Sequence, residues 1–66
     1  MKRDPRKDPK PGDVLIYGPQ WQLERVEVKA LIADGQMVCV GERLDWWPFR
    51  VWLEYMAGAE VLHAAD

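Results

Sequence analysis

Cys39 and His63 are the only cysteine and the only histidine in the chain, and the one pair of side chains with the chemistry of a nucleophile and its base. Cys39 stands between Val38 and Val40 in a stretch that reads as a strand, where a small buried apolar side chain is its ordinary role. His63 falls in a polar C-terminal tail, where a solvated imidazole is the ordinary state. The sequence contains no serine, threonine or asparagine. That removes hydroxyl nucleophiles, phosphate loops that need a hydroxyl ligand, and the acceptor for N-glycosylation. A metal site would have to be built from one thiol, one imidazole and carboxylates that lack ligand spacing. Gly12, Gly18, Gly35, Gly41 and Gly58 stand alone, each at a turn or helix end, so no glycine-rich phosphate cradle exists. These residues imply a protein that is not an enzyme, with no catalytic residue, no metal and no cofactor.

Binding chemistry is better represented. The segment LDWWPFRVWLEYM, from Leu44 to Met56, holds three of the four tryptophans. Phe49, Trp52, Leu53 and Met56 recur at i, i+3, i+4 and i+7, the apolar stripe of a short amphipathic helix that must be buried on a sheet. Trp46, Trp47 and Tyr55 lie off that stripe and are candidates for a partner-binding surface, because Trp and Tyr concentrate in binding hot spots. Glu24, Glu27, Glu42, Asp45 and Glu54 could add an acidic patch if they share a face. Arg25, Arg43 and Arg50 offer guanidinium forks that match phosphate geometry, which is the alternative ligand-binding set.

The elements that position these residues follow from periodicity and turn chemistry. Pro5, Pro9 and Pro11 remove backbone donors and bias their predecessors toward extended backbone, so residues 1–11 read as a polyproline-like arm. Val14 to Tyr17 is a short strand between Pro11-Gly12-Asp13 and Gly18-Pro19. Trp21 to Ile32 alternates as a strand, with a phase slip near Glu24 and Arg25 that predicts a bulge. Asp34-Gly35 is a hairpin signal leading into a third strand at Gln36 to Val40. Leu44 to Trp46 reads as a fourth strand or the approach to the helix. Pro48 suits the first turn of that helix and Gly58 a left-handed residue ending it. Glu60 to Leu62 has the composition of a last short strand.

Charge divides along the chain. Residues 1–10 carry +3 and residues 11–66 carry −5, a basic arm ahead of an acidic domain. The acidic body would repel phosphate, so direct nucleic-acid binding is not expected. No apolar run approaches the roughly 18 residues of a membrane span, and a single cysteine does not make a disulfide framework. A location in the cytoplasm is expected.

The opening DPRKDPKPGDVL, Asp4 to Leu15, and WLEYMAGAEVL, Trp52 to Leu62, resemble a family of small uncharacterised proteins encoded by bacteriophages and prophages. Its members open D-P-R-x-D-P-x-P-G-D-V-L and end in a helix with W-x-x-aromatic followed by G-A-E-V. Trp52 and Tyr55 occupy those aromatic positions. The resemblance covers about a third of the chain, at its two ends. Trp46-Trp47-Pro48 departs from it, where such proteins often place a Ser or Thr helix cap. It implies a phage setting, in which the cytoplasm expected above is that of the host cell, and no established activity.

The fold implied is α+β: a small twisted antiparallel sheet of three to four strands, curled in the manner of an SH3-like barrel and packed on one C-terminal helix. Residues 1–11 form the arm, 12–62 a single domain and 63–66 a polar tail. The expected function is that of a phage accessory or anti-defence protein that binds and inhibits a host complex, such as a CRISPR effector, through an acidic or aromatic surface. Two alternatives stand beside it: an oligomeric sponge for a nucleotide signal, and a structural or packaging adaptor. A homodimer fits the thin core of so short a chain.

Overall fold

The computed structural model describes residues 3–65; Met1 and Lys2 of the expected arm and Asp66 of the expected tail lie outside them. Five strands and one helix follow in the order β1 (Val14–Tyr17), β2 (Glu24–Ile32), β3 (Met37–Val40), β4 (Asp45–Pro48), α1 (Phe49–Met56) and β5 (Glu60–His63). The strands make one antiparallel sheet, ordered β4-β3-β2-β1-β5. The α+β class and the single helix agree with the sequence reading, but the sheet has five strands rather than three to four. It is open, with β4 and β5 as its edges, and so is not a closed barrel.

The sheet is nevertheless strongly rolled. Tyr17 on β1 and Trp47 on β4 are separated by two intervening strands, yet their rings lie 5.9 Å apart. In a flat sheet three strand spacings would hold them about 14 Å apart. The bend sits in β2, whose first half pairs with β1 and whose second half pairs with β3, with a register shift between Val28 and Ala30. This corrects the position of the bulge. The β1–β2 ladder runs unbroken from Glu27 to Glu24, and the apparent slip arose because Trp21 to Leu23 belong to a loop. That loop leaves at Gly18, with φ +108°, and is closed by a bond from Gln22 N–H to Pro19 C=O of 2.9 Å.

The concave face gathers the core. Leu15, Val26, Val28, Val38 and Val40 from the sheet meet Trp52 and Met56 of α1 and Ala59 beyond it. Phe49 is half-buried, whereas Leu53, placed by periodicity on the buried stripe, is 37% exposed. An eight-residue helix on a curved sheet buries only the Trp52/Met56 row fully, and Leu53 falls one step around it. Pro48 precedes the helix, as its sequence position suggests. Gly58 is not left-handed: α1 ends at Met56 with Ala57 still in helical backbone, and Ala59 N–H closes the turn onto Met56 C=O at 3.1 Å. The β2–β3 hairpin does turn at Asp34-Gly35, but through a short 3-10 segment, Ala33–Gly35, in which all three residues have positive φ.

β4 is a guarded edge. Phe49 N–H donates to Gln36 C=O at 2.8 Å, and the register Val38↔Trp47 then turns the amides of Asp45 and Trp47 inward. The outward positions are Trp46 and Pro48, and Pro48 has no N–H, which leaves one outward donor on the edge.

The proline-rich segment is not an extended arm. Asp4 C=O accepts from Lys7 N–H at 2.9 Å and Asp8 N–H at 2.7 Å, so the chain folds into a turn, with Pro5 and Pro9 both buried. Asp followed by Pro is the composition of the first two positions of a type I turn, a signal that the count of prolines obscured. Trp52 Nε1–H donates to Pro5 C=O at 3.1 Å, and Arg3 reaches the fully buried Asp13 with two bonds of 2.5 and 2.7 Å. Asp13 also accepts from the N–H groups of Lys10 and Ala65, both at 2.7 Å. Arg3 in turn donates to the carbonyls of Asp8 and Ala65. One carboxylate thus ties the first residues, the start of β1 and the end of the chain together.

Candidate protein-binding surface

Alternation along β4 sends its two tryptophans to opposite faces. Trp47 shares the concave face with Val38, its partner in register, while Trp46 shares the convex face with Cys39. Trp47 there meets three other rings: Tyr17 at 5.9 Å, Tyr55 at 5.5 Å and Trp52 at 6.1 Å between centroids. Tyr17 and Tyr55 stack at 6.3 Å. The first two Trp47 contacts are edge-to-face and the third is tilted, arrangements that the ring quadrupoles favour. Tyr17, Trp47 and Tyr55 therefore form a ridge at the margin of the core, backed by the buried Trp52. Tyr55 is its outermost member, 55% exposed.

Carboxylates rim this ridge. The Tyr17 hydroxyl donates to Glu24 Oε2 at 3.0 Å, across the β1–β2 pair. Burial, then this bond and the Glu24 charge, raise the Tyr17 phenol above its ordinary value, with Tyr55 adding to the effect. Asp45 stands two residues before Trp47 on the same face of β4, and Glu54 precedes Tyr55 on α1; both are exposed. The Gly18-to-Leu23 loop leaves from Tyr17 and returns to Glu24, and it carries Trp21, 86% exposed, and Leu23, 56% exposed. Rigid rings with few rotatable bonds, surrounded by charge, form the pattern of an apolar interface centre with a polar rim.

The sequence-derived set is divided by the structure. Trp47 and Tyr55 belong to the ridge and Glu24 is bonded to it through Tyr17, while Asp45 and Glu54 are exposed near Trp47 and Tyr55 in the chain. Trp46, 42% exposed, is on the other side of the sheet. Glu27 faces away from Glu24, because residues three apart in a regular ladder point to opposite faces, and it pairs with Lys29 at 3.0 Å. Glu42 is exposed in the turn between β3 and β4. A single acidic patch of all five carboxylates is thus not formed. Arg25 is exposed on the convex face opposite Ile16, Arg43 in the β3–β4 turn and Arg50 in the first turn of α1. Among the described residues, a cavity of about 180 Å³ between Asp8, Pro9 and the β2–β3 hairpin and one of about 300 Å³ between Asp4, Arg6, Lys7 and α1 are not lined by these three arginines. Cys39 is buried on β3 and His63 exposed on β5, with β2 and β1 between them in the sheet.

Two ridge features were missed by sequence reasoning. Tyr17 was read only as a strand residue; its position two after the core residue Leu15 on the same face was the available signal. Trp21 was assigned to a strand, although Gly18-Pro19 immediately before it marked the loop that exposes it. Comparison with protein families, with characterised proteins and with solved structures gave no match. Among the described residues no group of three or more His, Cys, Asp or Glu side chains is placed to hold a metal ion, and no helix is long and apolar enough to cross a membrane.

Proposed function

We propose that the protein is a non-catalytic binding domain that engages a partner protein through the Tyr17–Trp47–Tyr55 ridge. The observation that carries this reading is the exposure of Tyr55 on a ring cluster already immobilised by Trp47, Tyr17 and the core. Such a residue adds contact area to an interface with little further loss of side-chain freedom. The carboxylates at the rim favour a partner with a basic groove and give association that weakens with salt. Taken with the resemblance of the two chain ends to phage-encoded proteins, the partner class we favour is a host defence complex with a nucleic-acid groove, such as a CRISPR effector, inhibited in the host cytoplasm.

Purified effector complexes titrated with the protein test this directly. Tyr55→Ala should abolish binding while leaving the far-UV spectrum and melting temperature close to wild type, and Trp46→Ala, on the opposite face, should leave binding intact. Full retention of binding by Tyr55→Ala, or its loss in Trp46→Ala alone, would overturn the ridge as the interface. Failure of the wild-type protein to bind or inhibit any effector tested would overturn the choice of partner class.

A further inference from the structure

We propose that the N-terminal segment is an exchangeable self-ligand: residues 3–10 of one copy dock on the Trp52 and Asp13 sites of a second copy, giving an arm-exchanged dimer. The docking sites differ from the ridge rings Tyr17, Trp47 and Tyr55, although Trp52 backs both.

The contacts that hold the segment are those of a bound peptide. A buried indole N–H meets a proline carbonyl at 3.1 Å, two prolines are buried, and an arginine fork meets a carboxylate that is itself fully buried. Indole donors reading the carbonyls of proline-rich segments are a recurrent recognition mode. The charges are complementary as well, with the first ten residues at +3 and the rest of the chain at −5. The sole covalent link between the two parts is the turn Lys10-Pro11-Gly12-Asp13, closed by Asp13 N–H onto Lys10 C=O at 3.1 Å. Lys10 and Pro11 are exposed, and Gly12 holds φ +99°, as Pro-Gly does at the centre of a type II turn. Opening this turn breaks the Asp13–Lys10 bond and disturbs a second one within the hinge, from Gly12 N–H to Val28 C=O at 2.9 Å. The Trp52–Pro5 and Arg3–Asp13 contacts join the segment to the body and are restored when the body belongs to a second copy, which is the condition for exchange at low cost. Pro11 assists by disfavouring helical backbone at Lys10 and biasing the opened hinge toward extension. The competing route to a dimer, pairing of β4 edges, is hindered by the missing donor at Pro48.

The test uses full chains carrying two different C-terminal tags, mixed at high concentration and unfolded together by acid and urea, which opens the Asp13 contacts. After return to neutral pH without urea, the mixture is separated by size with mass determined by light scattering. A species of doubled mass that contains both tags, and that an excess of synthetic peptide RDPRKDPK disperses to monomer, is the expected result. A chain shortened by deletion of Pro11 and Gly12 cannot close the turn on itself and should be dimeric without this treatment. Monomer alone after the treatment, or a mixed-tag dimer that the peptide leaves intact, would overturn the proposal; the second outcome would place the contact at the ridge or the convex face. A native-like monomeric shortened chain would also overturn it.

Discussion

Trp52 and Pro5 are 47 residues apart in the chain, and the indole N–H of the first donates to the carbonyl of the second at 3.1 Å. This bond makes the proline-rich segment part of the domain. The ring fills the centre of the concave face with no exposed area, while its one polar atom, which burial would otherwise leave unpaired, is satisfied by a carbonyl that a Pro-rich turn brings to it. Core packing and the docking of the first residues are therefore coupled through a single side chain.

Separating the two roles is feasible by substitution. Trp52→Phe retains most of the ring but orphans the Pro5 carbonyl, and should cost about 1–3 kcal/mol. Trp52→Ala also leaves a cavity and should cost about 3–5 kcal/mol. Urea unfolding of the two variants checks this ordering. A Trp52→Phe loss well below about 1 kcal/mol would mean that the bond contributes nothing beyond the volume of the ring.

Asp13 gives the protein an acid-sensitive latch. Burial favours its protonated form, but the Arg3 fork and the amides of Lys10 and Ala65 outweigh it, and the carboxyl titrates below its ordinary range. Asp4 is held down in the same direction by its bonds to Arg6. A carboxylate whose folded value is depressed contributes its full stabilisation above the unfolded value, about 3.9, and loses it as pH falls through the folded value. Stability should therefore be flat from neutrality to about pH 4 and decline below it. Asp13→Asn, which removes the buried charge that the Arg3 fork meets, should cost about 3–5 kcal/mol at neutral pH and flatten the acid limb of the curve. Melting temperature measured against pH for both proteins is the check.

Tyr17 governs the alkaline side. Its phenol is raised by burial and by Glu24, so the stabilisation it brings is complete below about pH 10 and disappears as pH rises through the folded value. Glu24→Gln removes the charge and should bring the phenol back toward its ordinary value. Ultraviolet titration of phenolate should show one tyrosine ionising late in wild type, and earlier in Glu24→Gln. An unchanged titration would show that the Tyr17–Glu24 bond does not form in solution.

What the sequence made legible depended on how local the deciding interaction is. The strands at Val14 and Met37, the helix beginning after Pro48 and the burial of Trp52 follow from alternation, 3.6-residue spacing and turn residues within a few positions of each other. The destination of Arg3 is set by Asp13 and Ala65, and that of Pro5 by Trp52; these partners lie 10 to 62 residues away, so the segment looked like a solvated arm. Grouping Trp46 with Trp47 failed for a related reason. Once β4 was left undecided between strand and helix approach, the two-residue alternation that separates the adjacent rings could not be applied. Tyr17 joined them only because the sheet rolls at the β2 bulge, and that bulge lies four to five residues from where the pattern suggested it.

Leu44 offers a way to increase stability without touching either surface. It closes the β3–β4 turn with φ +57°, its N–H bonded to Gly41 C=O at 3.2 Å, and its side chain is 56% exposed. A branched side chain in left-handed backbone carries a penalty of about 1–2 kcal/mol, and little buried contact compensates for it here. Asparagine tolerates this conformation through local hydrogen bonding of its side chain. Leu44→Asn should therefore stabilise the protein by about 0.5–1 kcal/mol, raising the urea midpoint with an unchanged slope. A lower midpoint would mean that Leu44 contributes packing in solution sufficient to offset its backbone strain.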